Sequence, residues 1–401
     1  MKPSTVIVAG TGPAGLVAAL AASGAGHAVE LVGPLPREDD QRTTALMAPA
    51  LEFLDLVGVR QALERDGAPL RVMRIVDGTR RLVRSPTATF RSSEIGEDAF
   101  GLNVPNAKLN RILVDAVEAS PVTWTKALVE RWDLAGDGAR ATVGDRVIEG
   151  SLVVAADGRA SPAREAAGIR VSTRDWRQSA LVVNFAHTRP HADMSTELHT
   201  ETGPFTQVPL PGDRSSLVWV VRPETAAELA ASPADDLSRR IEERMQSMLG
   251  RVTVMAGRQL YPLSAVTALS HAANRVALVG EAAHVFPPIG AQGLNLGIRD
   301  VADLIATMET HADDPGSAAA LSAYASKRRP DILARTAAVS LLNMSLLSDM
   351  LPAQVARSAG LGLLSAVSPL RAFFMREGMR PGSGFRSAAS AAREKVGRQD
   401  A

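Results

Sequence analysis

The period of the apolar positions changes several times along the chain, and each change marks an element. Val6 to Ala9 is an unbroken apolar run closing on Gly10, as a strand buried on both faces would be. An Ala-rich helix and the strand VELV follow, then a predicted helix over Ala45–Val57. Between Pro69 and Phe100 the stretches LRVMRIVD and RRLVRS alternate as strands do, and Asn106–Ala119 has helical spacing. Val122–Ile148 predicts a small meander with turns at Gly136-Asp137-Gly138 and Gly144-Asp145. Leu152–Ala156 is a short apolar strand, Asp157-Gly158 a turn, and Ser161–Ala167 the start of a helix. Ser179–Leu260 is rich in strands, with one charged helix predicted over Ala226–Leu249. Val276–Val279 is again a buried strand; a loop with Pro287, Pro288, Gly290 and Gly293 leads from it to a helix beginning near Leu294.

Composition narrows the class. With 401 residues, 46% of them hydrophobic, the chain is long enough for two or three structural units around a sizeable core. A net charge of +1 provides no basic field for nucleic acid. The lack of cysteine excludes disulfides, thiolate metal sites and a cysteine-linked flavin; no metal site is expected. The first core strand begins within five residues of Met1, which leaves no room for a secretory signal, and no apolar run approaches the roughly 20 residues of a membrane span. A cytoplasmic protein is the expectation.

Three segments carry chemistry. In GTGPAG, Gly10 allows a tight turn, Gly12 a close approach of pyrophosphate, and Gly15 the packing of helix on strand; Pro13 and Ala14 open the helix. The order strand, glycines, helix is that of a dinucleotide site. The acid that this fingerprint carries at the end of its second strand is replaced by Gly33, and Glu30 lies too early to serve. The second segment, Asp157-Gly158, is on its own a turn. The third, from Pro287 to Asn295, brings bare amides and a helix start to one point, where the amides of Leu294 and Asn295 can hold a developing negative charge.

Together the segments resemble the single-component flavin monooxygenases of the para-hydroxybenzoate hydroxylase class, over Val6 to about Met379. NVPNAKLNRIL, TETGPFTQVPLPGDRSSLVWVVRP and PPIGAQGLNLGIRD are similar to its ubiquinone-biosynthesis hydroxylases. The resemblance implies an α+β fold: a discontinuous, Rossmann-like FAD-binding domain (1–68, 101–178 and 266–330), a mostly β substrate domain (69–100 and 179–265), C-terminal helices (331–380) and a polar tail (381–401). It implies FAD on Gly10, Gly12, Pro13, Ala14, Gly15, Arg42, Asn106, Asp157, Gly158, Glu281, Pro288, Gly290, Gly293, Leu294 and Asn295, with Glu281 standing for the commoner Asp. The implied reaction is hydroxylation of a polyprenylated phenol by O2, with oxygen activated at the flavin C4a and NAD(P)H or a protein donor as reductant.

Against the flavin, Pro288 and Gln292 are expected to wall the substrate ring, with Phe205, Gln207, Pro209, Trp219 and Arg222 opposite. Each residue also has a plainer reading: Arg42 in a salt bridge, Asn106 as a helix N-cap, Gln292 as a loop brace, and His187, His199 and His284 as structural hydrogen-bonding groups. The apolar stripe from Ala337 to Phe374 is either core, a subunit contact, or an attachment to the inner-membrane surface aided by Arg371, Arg376 and Arg380. A soluble aromatic or polyketide substrate, and a non-catalytic subunit of a quinone-building complex, are the alternatives to the prenylphenol hydroxylase.

Overall fold

The computed structural model describes residues 5–79, 84–134, 136–287, 293–347 and 351–379. Pro288, Gly290, Gln292 and Arg380 lie outside the described residues. The chain opens with β1 (Thr5–Ala9), α1 (Pro13–Gly24) and β2 (Ala28–Val32), then runs β3 (Thr43–Met47), α2 (Ala48–Leu56), α3 (Arg60–Asp66) and β4 (Ala68–Leu70). LRVMRIVD becomes β5 (Val72–Asp77); RRLVRS is not a described strand, its residues 80–83 lying outside the described residues and Arg84 and Ser85 having no regular structure, and the next strand is β6 (Ala88–Arg91). β7 (Gly101–Pro105) leads into α4 (Asn106–Glu118). Next come β8 (Thr123–Thr125), β9 (Arg131–Asp133), β10 (Ala139–Val143), β11 (Arg146–Gly150), β12 (Leu152–Ala155) and α5 (Pro162–Ala166). The long strand β13 (Val171–His187) is followed by β14 (Met194–Thr200), β15 (Gly203–Leu210), β16 (Arg214–Val221), α6 (Pro223–Ala231) and α7 (Ala234–Arg244). The last third holds β17 (Val252–Val254), β18 (Gln259–Ala268), β19 (Ala272–Ala273), β20 (Val276–Leu278), β21 (His284–Val285), α8 (Gly293–Thr310), α9 (Ala318–Leu347), α10 (Leu351–Ala366) and α11 (Ser368–Met379).

Two large sheets organise these elements. The first has the order β19-β20-β12-β1-β2-β8, parallel except at β19, so its central strands are covered on both faces and are apolar throughout. The α1 and α4 side carries Leu16, Leu31, Leu109, Leu113 and Val117. Spaced four apart on α4, the last three place one stripe on the core, each side chain contributing roughly 1.5–3 kcal/mol on burial. Ile7, Val153 and Leu278 face the other way, under the β9–β11 meander and α5.

The second sheet runs β21-β18-β13-β16-β15-β14-β5-β6, with β17 also on β13. One face is sealed by α6 and α7 over Leu181, Val183, Phe185, Phe205, Leu217 and Trp219. The fold is therefore α+β with a Rossmann-like sheet and a separate, mainly antiparallel one. Two expected helices differ. Thr43–Met47, partly inside the predicted Ala45–Val57 helix, is a strand because β7 offers it a full antiparallel register. The helix predicted over Ala226–Leu249 starts at Pro223 and breaks at Ser232-Pro233, where the extended backbone ends α6 and caps α7.

Candidate flavin site

At the end of β1 the chain turns through Gly10. Its φ is +104°, and an added Cβ would lie 2.2 Å from the Ala156 carbonyl oxygen, so the position admits only glycine. An added Cβ on Gly15 would lie 2.0 Å from the Gly10 carbonyl oxygen, so helix and turn are packed as closely as backbone allows. Gly12 differs: nothing lies within 4 Å of a Cβ built there, and as N-cap of α1 it makes no side-chain bond to the helix. The first-turn amides thus face open space, the arrangement that takes a pyrophosphate.

The C-terminal segment comes to the same point. A Cβ on Gly280 would sit 3.1 Å from the Ala14 Cβ; one on Gly297 in α8 would sit 3.1 Å from the Gly280 Cα and 3.5 Å from the Ala14 Cβ. The start of α1, the Gly280 turn and the second turn of α8 therefore form one close-packed corner. α8 begins at Gly293, and the amides of Leu294 and Asn295 belong to its first turn, which has no intrahelical partner for them. Asn295 adds a side-chain clamp: its Nδ2 donates to the Ala45 carbonyl (2.7 Å) and its Oδ1 accepts from the Met47 amide (2.8 Å), fastening β3 to α8.

Beneath this corner lies a buried charge network that the sequence alone does not announce. Asp300, with no exposure, accepts from the Gly280 amide (3.0 Å), from His284 Nε2 (2.6 Å) and from Arg328 Nε (2.7 Å). Arg328, 1% exposed, also reaches Asp303 (2.8 Å) and Asp331 (3.1 Å). Burial pushes the Asp300 carboxyl up, but His284, Arg328 and the Gly280 amide outweigh it and hold the group below the usual carboxylate range. Beside it His271 is driven down to about 4, chiefly by burial. The network fixes the Gly280 turn, and with it the expected seat of the ribityl chain, to α8 and α9.

The rim is built by the segment before β3. Arg42 is paired with Asp40 (2.6 Å) and stacks over Tyr261 (5.1 Å); the Asp40 bond raises its pKa, with Tyr261 and Glu281 contributing through their charge. Arg42 and the exposed Glu281 thus act on each other across the rim. Asn106 makes no cap bond to α4; it accepts from Thr44 Oγ1 (2.7 Å) and donates to Asp40 (3.1 Å). Asp157 caps α5, accepting from Ser161 and from the Ala163 amide (2.9 Å), and burial raises its pKa. Gly158 makes the turn at φ +84°, and Arg164, buried beside it, donates to the Ala282 carbonyl (2.8 Å), joining the two turns.

Of the expected substrate residues, Phe205 and Trp219 belong to the core under α6 and α7, where they stack edge to face (5.1 Å). Gln207, two residues on, shares that side and donates to Ser215 Oγ (2.9 Å), which contacts His187 Nε2 (3.0 Å). Pro209 gives its carbonyl to Asn103 Nδ2 (2.7 Å), and Arg222 is an exposed residue before α6. Strand alternation puts Val182, Asn184, Thr206, Val208, Ser216 and Val218 on the opposite face. There Asn184 Nδ2 donates to the Gln41 carbonyl (3.1 Å), beside Arg42. Asn184 Oδ1 and Ser216 Oγ, on residues paired across β13 and β16, are buried without a partner among the described residues.

Open glycine, uncapped helix start and close-packed corner fit the pyrophosphate and flavin of FAD. Residues 3–338 match the family described as FAD binding domain. The chain belongs to this family and is an FAD-dependent aromatic-ring monooxygenase. It is 34% identical over 348 residues to the ubiquinone hydroxylase UbiL of Rhodospirillum rubrum, covering 85% of this chain and 80% of that protein. It is 28% identical to the 3-demethoxyubiquinol 3-hydroxylase of Escherichia coli over 90% of this chain and 94% of that one. Among solved structures, HpxO of Klebsiella pneumoniae complexed with FAD and uric acid superposes with a TM-score of 0.74 at 19% identity over 94% of this chain and 96% of that one. This last likeness shows the fold.

Proposed function

We propose that this chain hydroxylates the ring of a polyprenylated phenol during ubiquinone biosynthesis. The observation that carries the reading is an apolar groove of about 460 Å³ between α2 and α8, beginning at Met47 and Asn295 beside the flavin corner and ending at the exposed Leu56. Phe53, Ile298 and Ala302 line it, with Glu52, Arg299 and Arg335 among the other lining residues, and this mainly apolar lining supports a hydrocarbon tail lying there. The similarity to relatives named for ubiquinone hydroxylation supports the same substrate class.

Bound FAD supplies the redox chemistry, taking two electrons and allowing one oxygen atom of O2 to enter the ring while the other leaves as water. The residues supply the setting. Gly10, Gly12, Pro13, Ala14 and Gly15 receive the pyrophosphate; Asp157 and Gly158 shape the turn beside them, and Glu281 receives the ribityl chain. The amides of Leu294 and Asn295 stabilise negative charge on the ring system. Arg42 and Asn106 hold the rim. Val182, Val208 and Val218 exclude water, while Asn184 Oδ1 and Ser216 Oγ orient the ring through its oxygen substituents. Electrons come from NAD(P)H or from a protein donor, and anaerobic bleaching with NADH and NADPH separately distinguishes the two.

Product analysis tests the substrate. Purified holoenzyme with reductant, O2 and a short-chain prenylphenol is expected to give one added ring hydroxyl, and Phe53→Asp to raise KM for the prenylated phenol about tenfold while leaving an unprenylated phenol unaffected. Turnover of the unprenylated phenol alone would replace the prenylated substrate with a soluble aromatic.

A further inference from the structure

We propose that Thr11 and Gly33 form one coupled pair that closes the usual carboxylate seat for the adenosine ribose, so that this chain holds the adenosine half of FAD without it. A dinucleotide fingerprint normally places Asp or Glu at the end of its second strand, where the acid accepts hydrogen bonds from the ribose hydroxyls. Here that strand end is Gly33, at a φ of +155°. A Cβ added there would lie 2.8 Å from Thr11 Cγ2 and 3.1 Å from Thr11 Oγ1. Any side chain, and so any carboxylate, collides with the second residue of the fingerprint itself.

Thr11 does not move aside freely. It is 7% exposed and its hydroxyl donates to the Pro34 carbonyl (2.5 Å). The backbone at Gly33 is pinned from the other side: its amide donates to the Thr125 carbonyl (3.1 Å) and its carbonyl accepts from Trp124 Nε1 (2.9 Å). Gly33 therefore offers the ribose neither a side chain nor an unused backbone group. The acids nearest in sequence are committed or remote. Glu30, registered between Ile7 and Thr123, shares the meander-facing side of the sheet with Ile7 and Val32, and its Oε2 is buried there without a partner among the described residues; Asp39 is paired with Arg37, and Asp40 with Arg42 and Asn106. The side chain of Glu38 is 92% exposed. Affinity for FAD then rests on the pyrophosphate cradle and the flavin corner, and the 2′-hydroxyl of the adenosine goes unread.

Two measurements on the apoprotein test this. Titration with FAD and with its 2′-deoxyadenosine analogue, followed by flavin fluorescence, is expected to give dissociation constants within about twofold, whereas a hydrogen bond to a carboxylate would separate them about tenfold or more. A double-mutant cycle reads the coupling. Gly33→Glu alone is expected to lower Tm by about 3 °C or more. In Thr11→Ala/Gly33→Glu, part of that loss returns and a preference for FAD over the deoxy analogue of about tenfold emerges. A wild type that prefers FAD about tenfold, a Gly33→Glu variant as stable as wild type, or additive effects in the cycle would each overturn the proposal. The binding ratio and Tm report separately, so a variant that folds poorly still leaves the first measurement decisive.

Discussion

Asp300 answers to three donors at once, and its value lies in what each donor belongs to: the Gly280 turn, the strand-bound His284 and the α9 arginine. Removing one member of a buried ion network leaves the others desolvated without compensation, at about 3–5 kcal/mol. Asp300→Ala is therefore expected to cost about 3 kcal/mol or more in urea unfolding, and to loosen FAD in a fluorescence titration. His271 sets a pH limit. Its folded pKa of about 4 is depressed from 6.5, so the unfolded chain takes up a proton that the folded chain refuses. Its stabilising effect is complete above pH 6.5 and is lost as the pH falls toward 4, by about 3 kcal/mol at most. His271→Gln should flatten Tm against pH across that window. At this scale the glycine fingerprint was legible in the sequence because backbone geometry demands it. Asp300 was not, since it sits in GIRD as an ordinary helix acid, and the aromatic character of Phe205 and Trp219 suggested a ligand where there is core. Alternation in LVVNF already separates Asn184 from Leu181, Val183 and Phe185, and that is the signal for the side opposite the α6 and α7 core.

Among elements, β3 and α8 depend on each other most directly. The Ala45 and Met47 backbone groups bonded by Asn295 have no other fastening to α8 of comparable kind among the described hydrogen bonds. Loss of two bonds of about 1 kcal/mol each in Asn295→Ala should leave α8 in place and free β3. Hydrogen exchange of the Thr43–Met47 amides is expected to accelerate, with weaker FAD binding, while the β1 amides keep their protection. The periodicity from Ala45 (ALMAPALEFL) reads as helix because it lacks the information that decides otherwise: the partner of Thr43–Met47, Gly101–Pro105, lies far along the chain. Long-range pairing overrode local pattern there, whereas in α6 and α7 a local signal, Pro233, would have placed the break.

For the molecule as a whole, α10 and α11 meet at a 106° elbow bearing Leu363, Val367 and Phe374, which are 54%, 38% and 52% exposed. It is tied to the sheet edge by Arg371 on Glu94 (2.7 Å) and by Ser365 on the Thr87 carbonyl (3.3 Å). No single helix among the described residues is long and apolar enough to cross a membrane. An elbow of this form suits shallow insertion. Flotation with anionic liposomes is expected to carry the protein upward, and Phe374→Glu to cut the floated fraction at least about fivefold; equal partition would return the elbow to a packing role. The position of Asp300 and Arg328 along the chain carries a further consequence. During synthesis the glycine turn after β1 emerges first and gains its Ala156 neighbour only when β12 has been made, yet the floor that locks its opposing wall emerges only after the ribosome has passed Arg328. The two walls of the cradle can close on a cofactor only once most of the chain has been made, so cofactor capture is a late event in synthesis.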